Sequence, residues 1–373
     1  MPARSAVATE TTELLATWDK IAPDWVDNVY KKSGSLSAFR EFGILETADL
    51  SAQYEQMPVV VRKSENVKPF RHAQELQPKP ADPATNVRTN RVNLVGHAYI
   101  TYEQQRENSG AAKKADLLAK LWKQLEMDFR DMQSSYIAGT RGSNTDIIEG
   151  QRDCFFVGTG NVMDYNSHTF HEVTYSSTGT ELAKRWFVNG PITVDDSTGY
   201  GSLVTGYTDG GTGWINLWKS IMRVVGKCRH QGGNPRLGLC DEQGYMNLLT
   251  FAGPGRTGTM ARYTLDTAQG KGTDVNLGIS DLMVGPVQVR ADYYLSQPSG
   301  VTNTGCLHLI DPDHFKVQED TEWRFKMLTA PPPNAGSRQL IIPVMLLYRW
   351  TLRVDKRNAH GMVFDMLKGT TEG

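Results

Sequence analysis

From Ala111 to Ala138 apolar residues recur at spacings of three and four. Leu118, Leu121, Trp122, Leu125, Phe129, Met132 and Tyr136 form one stripe, Asn108 or Ser109 stands at the N-cap, and Gly139 follows the last turn. The pattern predicts a single helix of about 28 residues, roughly 42 Å long at 1.5 Å per residue. Its solvent face would carry Lys113, Lys120, Lys123, Glu126 and Arg130. A shorter amphipathic pattern, Leu14, Leu15, Trp18, Ile21, Trp25 and Val29, runs through residues 9–30 and breaks around Pro23. Between the two helices the pattern changes to that of strands. Gln56–Ser64 reads as one strand and Arg91–Tyr102 as a longer one, separated by a segment holding Pro69, Pro78, Pro80 and Pro83. Two strands around a proline-rich tip make a long ribbon, which alone buries too little to be stable in water. It must lie on another chain or another domain.

Residues 140–213 are rich in Gly, Thr, Ser and Asn. Short apolar bursts at Cys154–Val157, Arg185–Val188 and Leu203–Thr205 suggest brief strands between turns. Trp214–Val225 then reads as a helix, Arg236–Cys240 as a short strand, and Asp241 as the cap of a second helix running to Phe251. Strands are expected at Val287–Ala291, Cys306–Ile310, Trp323–Leu328, Leu340–Val354 and Met362–Phe364, with a turn at Pro331–Pro333. The longest apolar run, Leu340–Tyr348, contains Pro343 and falls far short of the roughly 20 residues a membrane span needs. The amino terminus has no apolar stretch of the kind a secretory signal requires, so a reducing cytoplasm is expected.

A chain of 373 residues suggests two or three structural units. With 40 basic and 41 acidic residues the formal charge is −1, and the chain as a whole cannot hold nucleic acid by neutralising phosphates. The balance hides a local asymmetry. Residues 1–56 carry nine acids against five bases, net −4, whereas residues 62–91 carry seven bases against three acids, net +4. An acidic arm and a basic ribbon in one chain suggest that copies interlock; the alternative, that both are solvated and unrelated, stays open. Candidate contact residues are Arg62, Lys63, Lys68, Arg71, Arg88 and Arg91 on the ribbon, and Trp18 and Trp25, which need a surface to cover.

Catalytic and metal chemistry is weakly signalled. Cys154, Cys228, Cys240 and Cys306 include no C-x-x-C pair and read as buried apolar residues. Cys228-x-His230 with Cys240, and Cys306-x-His308, do not have the spacing of a zinc module. Gly253–Thr259 is glycine-rich but lacks the Lys of a phosphate-binding loop and reads as a surface loop. His168-x-x-His171-Glu172 sits among strand and turn residues. No catalytic, cofactor-binding or metal-binding residue is assigned, and no cofactor is expected. One open alternative is a cytoplasmic α+β enzyme whose site converges only in space, around His168, His171 and Glu172.

The order of parts resembles the Hong Kong 97-type major capsid proteins of tailed double-stranded DNA bacteriophages. Four stretches carry the resemblance: Met57–Tyr102 leading into Ala111–Ala138; Trp214–Val225, Arg236–Cys240 and Asp241–Phe251 followed by Leu282–Val289; Gly305–Asp311; and Tyr348–Phe364. It implies an α+β fold with an N-terminal arm (1–50) and an extended two-stranded loop (51–108). A peripheral domain (109–213 and 311–373, with spine helix 111–138) and an axial domain (214–310) complete it. It also implies a non-enzymatic subunit that self-assembles as pentamers and hexamers into an icosahedral shell around viral DNA, the DNA being contacted weakly if at all. The partners implied are other copies of the chain, a separate scaffolding protein, a portal and, in some members, decoration proteins. The location implied is the virion, after assembly in the host cytoplasm. Some members join a ribbon Lys to a neighbour's Asn, and Lys63 or Lys68 and Asn358 lie in loosely matching regions. An encapsulin-like compartment shell is the related alternative.

Overall fold

The computed structural model describes residues 34–50, 52, 54–60, 84–101, 111–139, 141, 146–155, 169–174, 192–195, 212–252, 282–295, 305–329, 341–364 and 366. In chain order these form helix α1 (Gly34–Glu41) and strands β1 (Leu45–Ala48), β2 (Tyr54–Val60), β3 (Ala84–Asn90) and β4 (Val92–Thr101). Helix α2 (Ala111–Ala138), the single turn α3 (Gln151–Cys154), and strands β5 (Thr169–Phe170), β6 (Val173–Thr174) and β7 (Ile192–Asp195) follow. Next come helix α4 (Thr212–His230), β8 (Leu237–Cys240), helix α5 (Glu242–Ala252), β9 (Leu282–Val284), β10 (Val287–Ala291) and β11 (Cys306–Ile310). The chain ends through β12 (Phe315–Asp320), β13 (Lys326–Thr329), β14 (Ile341–Val354), a 3-10 turn at Arg357–Ala359 and β15 (Gly361–Phe364). The α+β class is as the sequence suggests.

Strand β14 organises a five-stranded sheet. Residues 341–350 pair antiparallel with β4 on one edge; on the other, 344–347 pair with β13 and 350–354 with β12, while β1 adds parallel to β12. Where β12 gives way to β13 the chain bulges, with Phe325 at φ 51°, and the Arg349 amide still donates to the Trp323 carbonyl (3.2 Å). Every second residue of β14 (Leu346, Tyr348, Trp350, Leu352, Val354) is buried, the period a half-covered strand requires. Helix α2 shares that core through Trp122, Leu125 and Phe129. Gly96 of β4 makes room for it, because a Cβ there would lie 2.7 Å from Cζ of Phe129. Phe129 meets Phe325 edge-on (5.4 Å), and Phe325 stacks on Tyr348 (4.6 Å).

The bounds of α2 match the sequence expectation, and the Gly139 amide donates to the Ser135 carbonyl as the helix closes (2.9 Å). Its faces need correction. Glu126, expected in solvent, is buried with Gln133 and Ser134, whereas Met132 is exposed. At about 100° per residue, Glu126, Phe129 and Gln133 fall in line below Trp122, while Met132 sits at the margin of the stripe.

The second sheet runs β7-β15-β11-β8-β10-β9. Leu237, Leu239, Cys306, Ile310, Met362 and Phe364 face the core shared with the first sheet. Cys240, Leu307, Leu309, Val363, Val287 and Val289 face Leu217, Ile221, Val224 and Val225 of α4 and Leu248 of α5. Burial on both faces explains the apolar runs of β8, β11 and β15, broken only by the buried His308 of β11. Asp241 caps α5 as expected: Gly244 and Cys306 amides both donate to its Oδ1 (3.0 and 2.9 Å). Three placements differ from the sequence reading. Gly361–Phe364, read as closing the peripheral domain, and Ile192–Asp195, read within 109–213, are neighbouring strands of this second sheet. Residues 34–50, read as arm, send Leu36, Phe39 and Ile44 into the main core. Because that core is continuous across both sheets, chain order does not mark its boundaries.

The core holds ionisable groups at a cost. His308 stacks on Phe155 (4.5 Å), and His360 accepts from the Asp311 amide through Nδ1 (3.1 Å). Burial lowers both imidazoles to about 3. Burial raises the Asp153 carboxyl to about 6, although the Arg141 and Gly150 amides donate to Oδ2 (2.7 and 3.1 Å) and oppose the shift. An imidazole held below its unfolded value of about 6.5 takes up a proton on unfolding, so its contribution is intact above that pH and is lost as pH falls toward 3. Asp153 has the opposite sign: the folded state binds the extra proton, and stability drops as pH rises from about 4 to about 6.

Two outcomes follow. Gly96→Ala should destabilise by about 1–3 kcal/mol through overpacking against Phe129, and Phe129→Leu in the same chain should recover part of the loss in urea unfolding. Asp153→Asn, whose amide oxygen can still accept from both amides, should gain on wild type between about pH 4 and pH 6, by up to about 3 kcal/mol. A difference that ignores pH in that window would contradict the assignment.

Candidate subunit-contact surface

Strands β2 and β3 pair antiparallel over seven positions, Tyr54 opposite Asn90 through Val60 opposite Ala84. This corrects the ribbon expected from sequence, in which Arg91–Tyr102 was the second strand. That segment turns away at Arg91 and becomes β4, pairing with β14. The reason lies in side chains: β4 has Val92 and Leu94 to bury, whereas β3 (ATNVRTN) can spare only Val87 and Thr89. Met57, Val59 and Val87 join the main core, so the near end of the ribbon is anchored.

Polar contacts complete the anchor. The buried hydroxyl of Thr89 donates to the Leu352 carbonyl (3.1 Å), and that of Thr351 donates to the Asn90 carbonyl (2.9 Å). With both protons committed, the 3.1 Å approach of the two hydroxyl oxygens is a contact between them. Around this pair, Arg353 of β14 reaches Glu55 of β2 (3.4 Å), and the Gln318 amide, turned with its nitrogen toward Glu55, donates to it as well (3.2 Å). Arg349 donates to Asn93 (2.8 Å) and the Leu50 carbonyl (3.2 Å), approaches Asp320 (3.5 Å), and lies over the Trp323 ring (3.8 Å). Buried Glu319 accepts from the Tyr348 hydroxyl (2.5 Å) and pairs with Arg324 (2.8 Å). Sequence reasoning missed these groups, although Arg349, Thr351 and Arg353 do alternate with the buried residues of β14.

The candidate contact residues divide. Arg88 is exposed on β3, with its guanidinium 4.8 Å from the Tyr54 ring centroid. Arg91 is half-buried between β3 and β4; its Nε and Nη1 have no hydrogen-bond partner among the described residues. Burial lowers its pKa, Glu55 opposes that most strongly, and the nearby Arg349 charge adds to the lowering. Arg91 therefore belongs to the root, whereas Arg88 stays exposed. Arg62, Lys63, Lys68, Arg71, Trp18 and Trp25 lie outside the described residues.

The alternative grouping around His171 has a structural role. His171 and Glu172 form the turn between β5 and β6, both left-handed at φ 51° and 59°, which costs a non-glycine residue roughly 1 kcal/mol or more. Glu149 holds the turn, accepting from the His171 amide (2.9 Å) and from Nδ1 (2.6 Å), while the Val354 amide donates to Nε2 (3.2 Å). Both ring nitrogens are thus committed, and the ring stacks on Phe170 (3.9 Å). Burial raises the Glu149 pKa, but the His171 bonds and the Arg141 charge outweigh it and hold the carboxylate below its usual range. Glu172 is exposed, and His168 lies outside the described residues. The four cysteines are free and buried, and among the described residues no three His, Cys, Asp or Glu side chains group to hold a metal. No helix among them is long and apolar enough to cross a membrane.

No family model and no curated protein matches the chain in sequence. Among solved structures, it is similar to a chain of Mycobacterium phage Bobi (10% identity, 86% of this chain and 88% of that one, TM-score 0.47). It is also similar to one in the capsid asymmetric unit of cyanophage A-1(L) (10%, 88% and 92%, TM-score 0.49). A third similar chain is from the capsid of an empty GTA particle (11%, 88% and 96%, TM-score 0.44). These likenesses are slight in both identity and TM-score.

Proposed function

We propose that this chain is a shell-building subunit, a major capsid protein of the Hong Kong 97 type that assembles as pentamers and hexamers around packaged viral DNA. The observation that carries the reading is the anchored ribbon. Strands β2 and β3 are fixed at one end by the buried threonine bonds to β14 and the Glu55–Arg353 ion pair, and the chain between them, residues 61–83, adds Arg62, Lys63, Lys68, Arg71 and Lys79 against three acids. A firm root under a basic extension suits reach toward an acidic part of an adjacent copy, and heterologous contacts of that kind close rings. The succession of ribbon, 28-residue helix and helix–strand–helix unit over a second sheet agrees with the order of parts noted in the sequence. On this reading the contact residues are Arg62, Lys63, Lys68, Arg71 and Arg88, with Trp18 and Trp25 covering a neighbour. A scaffolding protein, a portal and decoration proteins would be further partners, and the mature location would be the virion after assembly in the host cytoplasm.

Electron microscopy of the expressed chain, alone and with its neighbouring genes, should find closed particles. Lys63→Glu combined with Arg71→Glu should prevent their formation. A monodisperse monomer at high concentration would overturn the reading, and particles formed normally by the double variant would remove the ribbon contact. Particles carrying enzymes encoded beside the gene, with no portal, would turn the reading to a compartment shell.

A further inference from the structure

Helix α4 contains four basic residues and His230 and no carboxylate over its 19 positions. Its buried side is apolar, with Leu217, Ile221, Val224, Val225 and Cys228 set against the second sheet. Lys219, Arg223 and Lys227 recur at four-residue intervals on the opposite side, all exposed, with exposed His230 continuing the line. At 1.5 Å per residue the cations stand about 6 Å apart, and the row to His230 spans about 16 Å. More positive charge gathers at its carboxyl-terminal end. Arg229 is exposed and bonds to Asn234 (3.4 Å), and Nζ of Lys356 lies beside Gly232. Among the described residues, Asp313 pairs with Arg236 (3.1 Å) and Asp355 with His314 (3.0 Å).

We infer that the Lys219–Arg223–Lys227 row is a sequence-independent docking site for the phosphate backbone of double-stranded nucleic acid. Protein interfaces have cores depleted in charge, and lysine is scarce in them. Interfaces with nucleic acid are far more positive. A row of one sign fits a continuous line of charge: a duplex carries one phosphate per about 1.7 Å of axis, so about ten, counted over both strands, lie along a length of this size. The ligand follows from the row alone. The further consequence, that this side of α4 looks into the lumen, rests on the shell reading. Three cations per copy give weak attachment, compatible with a charge of −1 over the whole chain.

The test is the salt dependence of binding of a short fluorescent DNA duplex to the full chain. Each neutralised phosphate contributes about −0.9 to the slope of log affinity against log salt. Lys219→Gln, Arg223→Gln and Lys227→Gln together should therefore make the slope shallower by about 2.7. Between about 50 and about 200 mM salt, wild type should lose about 40-fold more affinity than the triple variant. A Lys219→Arg, Lys227→Arg chain, which keeps the charge, should retain the wild-type slope. An unchanged slope in the triple variant would overturn the inference. Loss of particles by that variant with duplex binding intact would also overturn it, and assign the row to a contact between copies. Duplex binding that follows the row in a chain that never forms particles would support the docking site while defeating the shell reading.

Discussion

The hydroxyls of Thr89 and Thr351, each bonded to a carbonyl of the opposite strand, tie the ribbon to β14 where no water reaches. A two-stranded ribbon has too narrow an apolar face to hold its own shape in water. Its shape must come from whatever grips its base. Here the grip combines three kinds of interaction: burial of Met57, Val59 and Val87, the threonine pair, and the Glu55–Arg353 contact with the Gln318 amide behind it. Removing the carbonyl's donor from one strand would leave a buried acceptor unsatisfied, which typically costs about 1–3 kcal/mol. That is large beside what two short strands gain alone.

Strand β14 transmits this anchorage to the body. One edge is given to β4, the other to β12 and β13, and its inner face meets α2 through Phe325 and Phe129. The same core continues to the second sheet, which carries α4 and α5 on its far face. A displacement at the ribbon root would thus meet a close-packed interior rather than a hinge. Such rigidity is what the proposed shell reading requires, since contacts between copies would have to fall in register.

Much of this was legible along the chain. The 28-residue helix, the Asp241 cap and the short buried strands announce themselves by periodicity and by capping chemistry that act over a few residues. What was not legible depends on distant partners. Nothing local distinguishes the polar strand Ala84–Asn90 from loop, since its inward residues are one valine and one threonine bonded to a carbonyl 263 positions away. Gly361–Phe364 follows β14 closely but pairs with β11 (Cys306–Ile310) of the second sheet, reached through the turn at Arg357–Ala359. His171 looked like chemistry because histidines and a glutamate lie close in sequence. In the fold its bonds run to Glu149 and Val354, and it steadies a strained turn.

The central claim is that the ribbon is held by its root and not by its own two strands. Hydrogen exchange of the amides of residues 54–57, 59 and 85–90, measured on the unassembled full chain, tests it most directly. Protection there approaching that of β14, and lost selectively in Thr351→Val, is the predicted result. Exchange at the rate of an isolated hairpin in the wild-type chain would contradict the account.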